Sequence, residues 1–145
     1  MNKQGALLIV VLACCTAVFA GNAAWTHEVE GHCLVDREGI LFVYVVDERG
    51  FASPLTGFRE LSLPVGPIEL TAGKVKFSLT LPSGKFGIRC FLDLNGNGRL
   101  DRGLLGPSEP WGMSWNGLKR FGFPHFEDIV FVVDRDIRGL QIELR

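Results

Sequence analysis

Lys74-Val75-Lys76-Phe77-Ser78-Leu79-Thr80-Leu81 is the stretch that decides the fold. Val75, Phe77, Leu79 and Leu81 alternate with Lys74, Lys76, Ser78 and Thr80. A period of two sends the apolar set to one face of a strand, whereas a helix would scatter it. This is the pattern of a half-buried antiparallel strand. Pro82-Ser83-Gly84 turns the chain, and Phe86, Ile88, Cys90 and Leu92 then share one face of the next strand.

Working outward, residues 28–35 read as a first strand, and Asp36-Arg37-Glu38-Gly39 as a tight turn. Residues 40–46 form a nearly continuous β-branched and aromatic run, suited to a central strand. Residues 47–66 read as a longer connection punctuated by Gly50, Pro54, Gly57, Pro64 and Gly66. Residues 127–133 are a further β run, opened by Phe126-Glu127-Asp128. In the last strand Leu140, Ile142 and Leu144 alternate with Gln141 and Glu143. The 18 glycines and 7 prolines suit turn-rich β structure. The expected fold is all-β: an antiparallel β-sandwich of the prealbumin-like or immunoglobulin-like kind.

The N-terminus has a different character. Asn2, Lys3 and Gln4 precede an uncharged run from Gly5 to Ala20, which ends in Val18-Phe19-Ala20. A polar start, a short apolar stretch and a small-residue end are the parts of a secretory signal peptide. The strongly apolar part falls short of the ~20 residues that a spanning helix needs. The expected organisation is therefore a signal peptide over 1–20, cleaved after Ala20 or else Ala24, and a single domain over 21–145. A lipoprotein variant at Val11-Leu12-Ala13-Cys14 is disfavoured by the long apolar stretch after Cys14. The expected location is extracytoplasmic, periplasmic or secreted, with no membrane span after cleavage.

Of the 4 cysteines, Cys14 and Cys15 leave with the leader. Cys33 and Cys90 remain, either as a disulfide formed in an oxidising compartment or as two buried thiols. Charge is nearly balanced, 15 basic against 16 acidic residues, and no basic stripe interleaves with aromatics. Nucleic acid is not an expected partner.

The chemistry concentrates in Asp93-Leu94-Asn95-Gly96-Asn97-Gly98-Arg99-Leu100-Asp101. Ca2+ is a hard cation that takes about six to eight oxygen ligands. Asp93, Asn95, Asn97 and Asp101 place oxygens at alternate positions, Arg99 offers its backbone carbonyl, and Gly98 permits the sharp turn. The position of the bidentate glutamate of an EF-hand is Leu104, and the flanks are strand-like, so this is a calcium-type loop on a β scaffold. Glu109, Glu127 and Asp128 could add a ligand. The competing reading is a pair of Asn-Gly turns that bind nothing.

Residues 103–125 carry Trp111, Trp115, Phe121 and Phe123, either as packing or as a surface for envelope polysaccharide or protein. Enzyme signatures are poor. Gly112-Met113-Ser114-Trp115-Asn116 departs from G-x-S-x-G at Asn116. His27, His32 and Cys33 lack zinc spacing. A hydrolase using His125, Glu127 and Asp128 is the rival to a non-enzymatic module, and a purely structural domain without metal is a third reading.

Over residues 29–145 the chain resembles the exported bacterial proteins grouped as domain of unknown function 2141. The resemblance rests on Gly84-Lys85-Phe86-Gly87-Ile88 leading into the Asp93–Asp101 loop, then Leu105-Gly106-Pro107, Trp111-Gly112-Met113-Ser114-Trp115-Asn116, Phe126-Glu127-Asp128 and the closing strand. It implies a signal peptide and a β-sandwich, and no established activity. This sequence departs from the pattern at Leu92 and in a short opening strand that carries Cys33. The loop also looks like calcium loops in the prealbumin-like B repeats of bacterial surface proteins.

Overall fold

The computed structural model describes residues 25–52, 59–115 and 124–145. The leader expected over 1–20, with both cleavage points, lies outside the described residues, as do Phe121 and Phe123.

Strand β1 (Thr26–Leu34) leads through the expected turn into β2 (Gly39–Val46). Helix α1 (Glu48–Phe51) follows, capped where the Asp47 carboxylate accepts the Gly50 amide at 2.7 Å. Next come β3 (Arg59–Val65) and helix α2 (Pro67–Ala72). Proline opens α2, Glu69 accepts the Gly66 amide at 3.0 Å, and Gly73 ends the helix at φ 67°. Strands β4 (Lys74–Pro82) and β5 (Gly84–Asp93) follow, joined by the expected turn, which carries the chain from one sheet to the other.

Short strands β6 (Arg102–Gly103), β7 (Gly106–Pro107) and β8 (Trp111–Met113) follow. A 3-10 turn (Phe126–Asp128) precedes β9 (Phe131–Val133) and β10 (Ile137–Glu143).

One sheet has the order β10-β1-β4; the other has β3-β2-β5-β8, with β9 also pairing β5. Val29 and Cys33 of β1, with Val75, Phe77, Leu79 and Leu81 of β4, pack against Leu41, Val43 and Val45 of β2 and Phe86, Ile88, Cys90 and Leu92 of β5. All these side chains are buried. Each such aliphatic or aromatic side chain contributes about 2 kcal/mol on leaving water, and this burial drives the two sheets together. A second cluster, Val46, Phe126 and Ile129, lies on the face of β2 and β5 turned away from this core, with Phe51, Met113, Trp115 and Val130 packed against it.

Two expectations change. Residues 47–66 are not a plain connection: β3 pairs antiparallel with β2 from Gly39↔Val65 to Val45↔Arg59. Leu61, Leu63 and Val65 do alternate, but Pro64 hid the strand. Proline is tolerated here because β3 is an edge strand. Residues 127–133 are not one strand, because the Asp128 carboxylate accepts the His125 amide at 2.8 Å and winds the chain into the 3-10 turn first. The all-β, largely antiparallel sandwich is as expected, with one parallel pair in it: β10 runs parallel to β1, with a register shift between Val29 and Gly31. A parallel neighbour needs a long crossover, and the whole second sheet supplies it.

Candidate metal centre

The loop grows out of the end of β5. Asp93 pairs with Ile40 of β2 in the central part of the sheet, and its side chain is 1% exposed. Its Oδ1 accepts the amides of Gly96 at 2.8 Å and Asn97 at 3.3 Å; its Oδ2 accepts that of Gly98 at 2.7 Å. One carboxylate thus winds the following residues around itself. Gly96 and Gly98 take left-handed φ of 74° and 73°, the conformation glycine adopts without steric cost. Burial pushes the Asp93 pKa up. The amides of Gly98, Gly96, Asn97 and Asn95 outweigh it and hold the carboxyl below its ordinary value.

The remaining donors lie on the exposed side of the turn. Asn95 Nδ2 donates to Asp101 Oδ2 at 2.6 Å, and Asn97 Nδ2 donates to both Asp101 oxygens at 3.0 Å. The Asn95 and Asn97 side-chain oxygens accept the amides of Asn97 at 3.1 Å and Arg99 at 2.8 Å. Asn95, Asn97 and Asp101 therefore do converge, while Asp93 is committed to the backbone. Turning the two carboxamides over would exchange their N–H groups for oxygens facing the Asp101 carboxylate, at the cost of their bonds to the Asn97 and Arg99 amides. Such an oxygen set suits a hard cation. Arg99 has an exposed side chain, and only its carbonyl is relevant.

Glu109 completes the arrangement. The β6–β7 hairpin, with Leu104 and Leu105 fully exposed at its tip, carries the chain away from Asp101 and back. Ser108 N–H donates to the Asp101 carbonyl at 2.9 Å. Glu109, 6% exposed, then accepts the Leu94 amide on Oε1 at 2.8 Å and the Asp101 amide on Oε2 at 3.0 Å. It clamps the loop at both ends. Sequence reasoning had Glu109 only as a spare ligand, because nothing in its spacing announces a clamp on amides 8 and 15 residues back. Among the described residues no ion pair joins Asp93, Asp101 or Glu109 to a basic side chain. Nor do three His, Cys, Asp or Glu side chains gather there as a metal cage. The loop would rely on amide and carbonyl oxygens as much as on charge.

The other singled-out residues go elsewhere. His125 and Glu127 are exposed while Asp128 is buried against the His125 amide, so the three do not line one cleft. Ser114 is 6% exposed: its Oγ accepts the Ile88 amide at 2.8 Å and donates to the Ile129 carbonyl at 2.7 Å. It ties β5 to the segment before β9. Trp111 and Trp115 are half-buried; Trp111 exchanges backbone bonds with Arg145 at 3.1 and 2.9 Å, and Trp115 packs on the second cluster. Cys33 and Cys90 are buried, unbridged thiols.

The family model described as "Uncharacterized protein conserved in bacteria (DUF2141)" matches residues 33–139, from the end of β1 into β10. The match covers the loop, its hairpin and Glu109. No curated protein and no solved structure matches the chain.

Proposed function

The chain belongs to the bacterial DUF2141 family, and on that premise we propose that it is a non-enzymatic, extracytoplasmic module of the cell envelope whose Asp93–Asp101 loop takes up Ca2+. The ion stiffens that end of the sandwich, and residues 103–125 meet an envelope polysaccharide or protein. The leader motif over 1–20 supports the compartment. The observation that carries the calcium reading is the convergence of Asn95 and Asn97 on the Asp101 carboxylate, within 2.6–3.0 Å, in a loop already wound by Asp93.

Few charges mean weak binding. A loop of this kind falls in the extracellular range of roughly 10⁻⁴–10⁻³ M. An ion that binds only the folded state stabilises it by mass action, about 1.4 kcal/mol at tenfold excess over Kd. For a domain of this size that raises Tm by about 5 °C. Thermal melts with millimolar Ca2+, with Mg2+ and with chelator test the reading. It predicts a rise with Ca2+ that is lost in Asp101→Asn. An unchanged Tm at millimolar Ca2+ rejects it.

A further inference from the structure

Cys33 and Cys90 meet where the two sheets pack. Cys33 sits on β1, opposite Val75 of β4; Cys90 sits on β5, opposite Val43 of β2. Both side chains point into the sandwich, at 0% and 3% exposure, and their sulfurs are 3.7 Å apart. Cys90 Sγ also lies 3.6 Å from the Gly112 carbonyl. No other covalent tie is available between the sheets among the described residues. We infer that Cys33 and Cys90 are a latent inter-sheet disulfide, closed by thiol–disulfide exchange with a small-molecule or protein disulfide as oxidant.

The chemistry balances. One cysteine thiolate attacks a sulfur of the oxidant, forming a mixed disulfide and releasing one thiol of the oxidant. The second cysteine attacks the mixed disulfide, forming the Cys33–Cys90 bond and releasing the other thiol. Two electrons pass from the cysteines to the oxidant, and the two cysteine protons end on the released thiols.

The timing follows from burial. The contact with Cys33 and the loss of water push the Cys90 pKa well above its ordinary value, so Cys90 holds little thiolate in the native fold. A mixed disulfide with a bulky oxidant has no room between the packed sheets. Exchange therefore runs while the chain is open, and sheet packing then seals the product. Cross-linking residues 57 apart in the chain removes much unfolded-state freedom. The expected gain is a Tm about 10 °C higher than that of the reduced protein.

The test refolds the full chain from denaturant in a glutathione buffer rich in the oxidised form. A glutamate- and an arginine-cleaving protease then release Cys33 in residues 31–37 and Cys90 in residues 90–99, away from Cys14 and Cys15. The expected product is those two peptides linked, lighter than their sum by two hydrogens, from a protein whose Tm falls on reduction. Recovery of both peptides as free thiols after refolding overturns the inference, as does a bridged protein that melts no higher than the reduced one. The Ca2+ response of the loop does not enter either readout.

Discussion

Glu109 holds the backbone amide of Asp101 on its Oε2 at 3.0 Å, and with its other oxygen it holds Leu94 at 2.8 Å. The two ends of the loop are thereby fixed to one buried carboxylate. A cation arriving at Asn95, Asn97 and Asp101 would meet donors whose backbone is already in place, so little ordering entropy would remain to oppose binding.

Replacing that clamp tests its worth. Glu109→Gln keeps the shape but offers one accepting oxygen where two part-buried amides need one each. An unmade bond of this kind costs about 2 kcal/mol. Urea denaturation should show a loss of that order, with the m value unchanged. Equal stability of variant and parent would show that the clamp carries no weight.

Acid should loosen the loop through Asp93. Its folded pKa lies below the ordinary 3.8, so the carboxylate contributes stability that is fully present above that value. The contribution is lost as pH falls through the lowered folded pKa. Stability measured from pH 6 downward should therefore decline below about pH 4 more steeply in the parent than in Asp93→Asn. The variant should already be weaker at neutral pH. Parallel pH curves for the two proteins would contradict this.

Ser114 should behave as a structural tie. Ser114→Ala leaves the Ile88 amide and the Ile129 carbonyl without their buried partner, at a cost of about 2 kcal/mol or more. Chemical denaturation reads this directly. A change under about half a kcal/mol would mean that water replaces the hydroxyl.

Legibility in the sequence followed the strength of periodicity. Residues 74–81 and the Phe86, Ile88, Cys90, Leu92 face were readable because one side of each strand is core and period two is unmistakable. β3 was not, since Pro64 and the surrounding glycines look like a linker until the strand is seen pairing at an edge. The parallel β1–β10 pair is a long-range choice that no local pattern encodes. α2 spans only six residues, too few for a 3.6 period to emerge. The loop was legible as a string of donors. Its division of labour was not: Asp93 binds backbone, Asp101 gathers the amides, and Glu109 locks the ends. Those roles depend on side-chain direction and on a hairpin that returns the chain.

The calcium account is tested most directly by following backbone and side-chain amide resonances of isotopically labelled, chelator-stripped protein during a Ca2+ titration. The account predicts saturable shifts confined to residues 94–101 and the Asn95 and Asn97 carboxamides, with a midpoint of roughly 10⁻⁴–10⁻³ M, and none from equal Mg2+. Flat resonances through about 10 mM Ca2+, well beyond the weak extracellular range, would contradict it.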